Sequence, residues 1–228
     1  MRRPSMKALI SVLMLVLLSG PNALAMIGAT SQETAQPDQW IPMPAWLAGT
    51  WQAKTQTFLD SYDCKTGRHL LEQPTTLQIN RIRTIGTQQD DAGQIWHYAA
   101  TPYVRNIEAQ SHTERQIIDQ LVLLRSGTDQ VMLCTTGRVT RWSKNSKELI
   151  DYFYERTLVA YSPVDENTIR SELIVTDFDS DKQPLHSSHS VCLELRVKPF
   201  AVTNRDERGD LRSLFLQFIS DKNRRGRH

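Results

Sequence analysis

The sequence predicts an all-β domain: an up-and-down antiparallel barrel of about eight strands followed by a C-terminal helix. Three observations predict it. Strand-like segments recur near 50–60, 75–86, 94–104, 115–125, 130–141, 149–161, 167–178 and 189–198, each bounded by turn residues. The connections between them are short, which implies antiparallel neighbours, and a closed meander leaves no exposed edge. After Pro199 the pattern changes.

The chain begins with Arg2, Arg3 and Lys7, an apolar run from Ala8 to Leu18, and a small-residue end at Ala23-Leu-Ala25. This order reads as a signal peptide over 1–25, so an exported, periplasmic or extracellular protein is expected. The run is far shorter than the ~20 residues of a membrane-spanning helix, so no span is expected in the mature protein. The opening Arg2-Arg3-Pro-Ser-Met-Lys7 loosely resembles a twin-arginine signal with Ser5 at the usual Phe position, and a plain secretory signal is the alternative. Residues 26–45, polar and then proline-punctuated, read as a flexible leader. A single domain is expected over 46–220, and the basic end, Arg224-Arg-Gly-Arg-His228, reads as a disordered tail over 221–228.

Three of the 27 Lys and Arg residues and none of the 25 Asp and Glu residues lie in 1–25, so the mature chain is near neutral. It offers no concentrated positive surface for nucleic acid.

Within the strands, alternation assigns faces. In the last strand Val191, Leu193, Leu195 and Val197 read as the buried side, and Cys192, Glu194, Arg196 and Lys198 as the wet side. The turns contain residues suited to tight geometry: Asp90-Asp-Ala-Gly93, Ser126-Gly-Thr-Asp129, Ser162-Pro-Val-Asp165 and Asp179 to Pro184. Beyond Pro199, Asp210 is placed to cap a helix with Leu211, Leu214, Phe215 and Phe218 on one face. Leu214, Leu216 and Phe218 also alternate, so a ninth strand is the rival reading.

The first strand opens on Trp46-Leu-Ala-Gly-Thr-Trp51. With its Gly49-Thr-Trp51 and eight-strand pattern, the chain resembles the lipocalins and wider calycins, whose first strand starts with G-x-W. The resemblance implies that Trp51 plugs the closed end of a barrel beneath a basic residue, Arg196 or Arg205, and that Gly49 lets the chain pass close to that floor. The closed-barrel pattern and an inward charge lead to the expectation of a non-catalytic barrel that holds a small apolar or amphipathic ligand. In a closed barrel the last strand pairs with the first, which sets Cys64 and Cys192 at one rim; they are the expected disulfide, with Cys134 left over.

In strand six the more apolar face reads Ile150, Tyr152, Tyr154, Arg156, Leu158 and Ala160. A guanidinium on an inner face needs an anion, so Arg156 with Tyr152 and Tyr154 forms the expected headgroup site, as in fatty-acid-binding relatives, and Trp96 and Tyr98 are expected to line the pocket. A bulge that turns Arg156 outward, or core packing of the aromatics, is the alternative. His186-x-x-His189-x-x-Cys192 has the look of a metal signature, but a spacing of three on a strand scatters the side chains over both faces. Asp177-x-Asp179-x-Asp181 opens like a calcium loop but lacks its glycine and closing Glu, and His97 is a lone strand histidine. No metal or cofactor is expected, and no nucleophile elbow, phosphate loop or zinc-protease motif occurs in the sequence. The rival functions are a protein-interaction module with a filled barrel, or an enzyme on the same scaffold.

Overall fold

The structure is a computed structural model and describes residues 39–108 and 111–225. The signal peptide expected over 1–25, and the leader as far as residue 38, lie outside the described residues, as do 226–228.

The elements in order are β1 (Gln39–Met43), β2 (Gly49–Asp63), β3 (Arg68–His69), β4 (Thr75–Ile85), β5 (Gln88–Gln89), β6 (Ile95–Ala99), β7 (Tyr103–Glu108), β8 (His112–Ser126), β9 (Val131–Ser143), β10 (Leu149–Asp165), β11 (Thr168–Phe178), β12 (Pro184–Pro199), β13 (Arg205–Asp206), β14 (Gly209–Asp210) and α1 (Leu211–Arg225). The fold is all-β and antiparallel with a C-terminal helix. The helix takes the place of the alternative ninth strand: Asp210 Oδ1 accepts the Ser213 amide at 3.0 Å as its cap, and Leu211 and Phe215 are buried. It runs on through 221–225, where the sequence reads as a tail.

A nine-stranded sheet has the order β3-β2-β12-β11-β10-β9-β8-β7, with β4 also paired to β2. The first long strand therefore joins the last, from Gly49↔Pro199 to Asp63↔His186. The expected closed ring is not present: among the described residues no ladder links β4 to β7. The third expected strand, 94–104, divides. Its first part, β6, pairs with β1 and β5 in a separate small sheet, which leaves the six residues of β7 to continue the large one. Aromatic burial accounts for the division, because Trp40 of β1 and Trp96 and Tyr98 of β6 pack against Leu211 and Phe215 of α1. Residues 39–43, assigned by sequence to a flexible leader, are thus a strand with Trp40, Ile41 and Met43 buried.

The large sheet curls strongly. Arg83 on β4 donates to the Tyr161 hydroxyl on β10, four ladder steps away. In a flat sheet those strands would lie about 19 Å apart. The main core, including Leu47, Trp51, Ile85, Ile95, Val131, Val159 and Ile169, fills one end of the curl.

The opening WLAGTW segment builds the floor of this end. Trp51 is wholly buried, its Nε1 donates to the Leu47 carbonyl at 2.8 Å, and the Arg196 guanidinium lies 4.2 Å from its ring centroid. Trp46 Nε1 reaches the Gly127 carbonyl in the β8–β9 turn at 3.1 Å. Gly49 has φ +141°, and a Cβ there would stand 2.8 Å from Arg196 Nη1 and 2.9 Å from the Lys198 carbonyl. Of the two basic residues weighed for the floor, Arg196 holds the position.

The alternation in β12 runs opposite to the expected one. Cys192 and Glu194 are buried, while Leu193 and Leu195 are 58% and 54% exposed. The register requires it: Arg196 pairs with Trp51 and Glu194 with Ala53, so they share the inner face of β2.

Candidate functional site on the concave face of the sheet

Along β10 and β11 the inner face reads Phe153, Glu155, Thr157, Val159 and Tyr161, paired with Asp177, Val175, Leu173 and Ser171 from Glu155 onward. Next to it are Ser188, Ser190, Cys192 and Glu194 of β12, Thr135 and Leu133 of β9, and Leu121 and Leu123 of β8. At mid-height Leu77, Ile79, Leu121, Leu123, Thr135, Thr157, Leu173 and Val175 are only half-buried, so the concave face is not filled solid by its own side chains. It is an apolar and hydroxyl-lined trough with a polar network at each end.

Toward the floor, the fully buried Glu194 carboxylate takes two arginines. Arg83 grips it with Nε on Oε2 at 2.8 Å and Nη2 on Oε1, and Ser171 Oγ donates to Oε1 at 2.5 Å. Arg81 Nη2 lies 3.5 Å from the same Oε1 and 3.2 Å from Cys192 Sγ, while Arg81 Nε is buried without a partner. Burial raises the Cys192 thiol pKa, and burial likewise raises the Tyr161 hydroxyl, so both are neutral. Two guanidinium charges therefore face one carboxylate, which leaves one positive charge uncompensated beside the trough.

Toward the open rim the network is carboxylate-rich. Arg141 Nε donates to Glu114 Oε2 at 2.7 Å, and Arg105 Nε to Gln116 Oε1 at 2.8 Å. Glu155 and Asp177 are direct cross-strand partners, and Asp177 is in turn paired with His186, whose Nδ1 lies 3.7 Å from its Oδ2. Burial, reinforced by Asp177, raises the Glu155 pKa to about 7; burial also raises that of Asp177, and donation to the Asp177 carboxylate raises that of His186.

The structure relocates the residues expected to bind a ligand. Arg156 and Tyr152 are exposed and Tyr154 half-buried on the outer face of β10, where Arg156 lies 5.3 Å from the Phe178 ring centroid and Lys182 Nζ 3.0 Å from that of Tyr154. The physical reason is that Val159 and Tyr161 pack inward against the core, so the odd-numbered residues face inside. Trp96 and Tyr98 are packed beneath α1 and do not line the trough. Sequence reasoning missed Arg81, Arg83 and Glu194; the signal was the floor itself, because an Arg196 stacked on Trp51 must bring Glu194 to the same side.

The expected disulfide is also corrected. Cys64 and Cys192 are both free, as is Cys134. β12 starts at Pro184, so Cys192 lies mid-strand, while Cys64 bonds through its amide to the Leu185 carbonyl. Seven residues of extended strand separate these levels by roughly 23 Å, well beyond disulfide reach.

Among the described residues no group of three or more His, Cys, Asp or Glu is placed to hold a metal ion. His189 bonds Glu172 at 2.5 Å on the outer face while His186 and Cys192 face inward. Asp179 caps its own turn, accepting the Asp181 and Gln183 amides. His97 accepts the Gly86 amide within the small sheet, and burial lowers its pKa to about 4, so it is neutral. Among the described residues no helix is long and apolar enough to cross a membrane. Comparison with protein-family models, with curated proteins and with solved structures gives no match for this chain.

Proposed function

We propose that the protein is an exported, lipocalin-like binder of a small amphipathic molecule, without catalysis of its own, and that the ligand lies in the trough with an anionic headgroup toward Arg81. The observation that carries this reading is the unbalanced pair of arginines: Arg81 shares Glu194 with Arg83 and keeps a buried Nε unpartnered at the end of a half-open apolar wall. An anion there would balance the charge, and the aliphatic part would cover Leu77, Ile79 and Leu173. The test is displacement of a fluorescent fatty-acid analogue. Arg81→Ala is expected to weaken binding by about tenfold, the scale of one charged hydrogen bond, and Arg156→Ala to leave it unchanged. No binding, or equal binding by both variants, overturns the reading.

A second reading, a protein-interaction module, is favoured by the outward apolar row Leu193, Leu195 and Val197 on β12. Capture of a partner from a periplasmic extract, lost on Leu193→Ser with Leu195→Ser, would support it.

A further inference from the structure

One row of titratable groups crosses four strands in register on the inner face: Glu155 on β10, Asp177 on β11, His186 on β12 and Asp63 on β2. On β9 the position next to Glu155 is Gly137, where a Cβ would collide with the Ile117 carbonyl, so no side chain at that cross-strand position can pair with the carboxyl. Glu155 Oε1 accepts the Thr157 hydroxyl at 3.0 Å. The charged and titratable groups facing the pair from the surrounding strands are Arg141 on β9, Glu114 on β8, Arg105 and Tyr103 on β7, and Asp151 on β10 itself. Arg141 is held by Glu114, and Arg105 by Gln116, so neither cation closes on the Glu155 carboxyl. Asp63 is engaged by the Lys65 and Thr66 amides of its own turn.

We propose that Glu155 and Asp177 form a proton-operated latch on the rim half of the trough, which holds its ligand while a proton is shared between the two carboxyls and releases it as that proton is lost. With the proton present, Asp177 is satisfied by His186 and Glu155 is a neutral wall residue between Thr157 and Phe153. Without it, two carboxylates face each other across the β10–β11 ladder with no cation between them. His186, whose pKa the Asp177 carboxylate raises, is the imidazole in direct register with the pair. The repulsion acts on the ladder that carries the half-open residues Thr157 and Val175, so the wall that contacts the ligand is the one that loosens. The burial that raises the Glu155 pKa to about 7 places the change near neutral pH.

The latch rests on the binding reading above, and the experiment separates the two. The probe is 1-anilinonaphthalene-8-sulfonate, whose sulfonate keeps its charge throughout. If only the protonated form binds, the dissociation constant rises by about tenfold between pH 6 and pH 8, following the fraction of competent protein. Glu155→Gln, which imitates the protonated group, should bind with no such dependence, and Asp177→Asn serves as a second variant that removes the same repulsion. A flat profile in the wild type, or an undiminished slope in both variants, overturns the latch. If the wild-type protein binds no probe at any pH, the binding reading fails, and the latch is decided by amide hydrogen exchange corrected for intrinsic rate. Protection of β10 and β11 lost at pH 8 in the wild type and retained in Glu155→Gln supports it; equal protection in both overturns it.

Discussion

The Arg196 guanidinium lies over the Trp51 ring and at the same time donates to the Ala48 and Trp46 carbonyls, the latter at 2.9 Å, so one side chain ties the last long strand to the segment that opens the first. Removing either partner should loosen the same end of the fold. Trp51→Ala is expected to cost about 4 kcal/mol, the scale of a buried aromatic truncation. Arg196→Ala should cost about 2 kcal/mol through the lost ring contact and orphaned carbonyls. Gly49→Ala should also destabilise, because its Cβ would meet Arg196 and the residue has positive φ. Urea unfolding of the three variants checks all of these values.

Glu194 is wholly buried between Arg83, Arg81 and Ser171. Glu194→Ala leaves two guanidinium groups without their anion and should cost about 3–5 kcal/mol. Arg83→Met should cost less, because Arg81 remains to balance Glu194, and the two losses should not add in the double variant. A double-mutant cycle by denaturant melting measures the difference.

That network also shows what the sequence does and does not make legible. Most strand positions, three of the four turns, the glycine-tryptophan floor and the helix cap could be read, because each rests on local chemistry within a few residues; Ser162–Asp165, read as a turn, instead continues β10 and pairs with β11. The faces of β10 and β12 could not be read from alternation, because the buried side carries Glu155, Glu194 and Cys192 while Leu193 and Leu195 face out. Where the interior is polar, hydrophobicity points the wrong way and only cross-strand register fixes the face. The division of the third strand rests on aromatic contacts made with a helix more than a hundred residues later, which no local window contains.

Glu155 makes stability pH-dependent. Its folded pKa, about 7, stands above the ordinary value of 4.5, so the folded state binds the proton more tightly than the unfolded one. The stabilisation is fully present below pH 4.5 and is lost as pH rises to about 7, a contribution of up to about 3 kcal/mol. Glu155→Gln should therefore melt with a smaller fall in stability between pH 5 and pH 8 than the wild type. Thermal melts across that range, with His186→Asn as a control for the neighbouring imidazole, check the assignment.

The three cysteines are free. Denatured protein prepared without reductant should titrate three thiols per chain, and reductant should leave the melting temperature of the native protein unchanged. A result of one thiol would mean that two strands are joined at a register different from the one described.

In the proposed function the curled sheet holds an amphipathic anion against Arg81. Native mass spectrometry of the protein, purified gently from the cell and compared with its Arg81→Ala variant, is the direct test. Added mass of a few hundred daltons is expected on the wild type, the scale of a ligand-sized pocket, dissociating on mild activation, and lost from the variant. Bare protein in both preparations, together with no uptake of an added amphiphile, would contradict it.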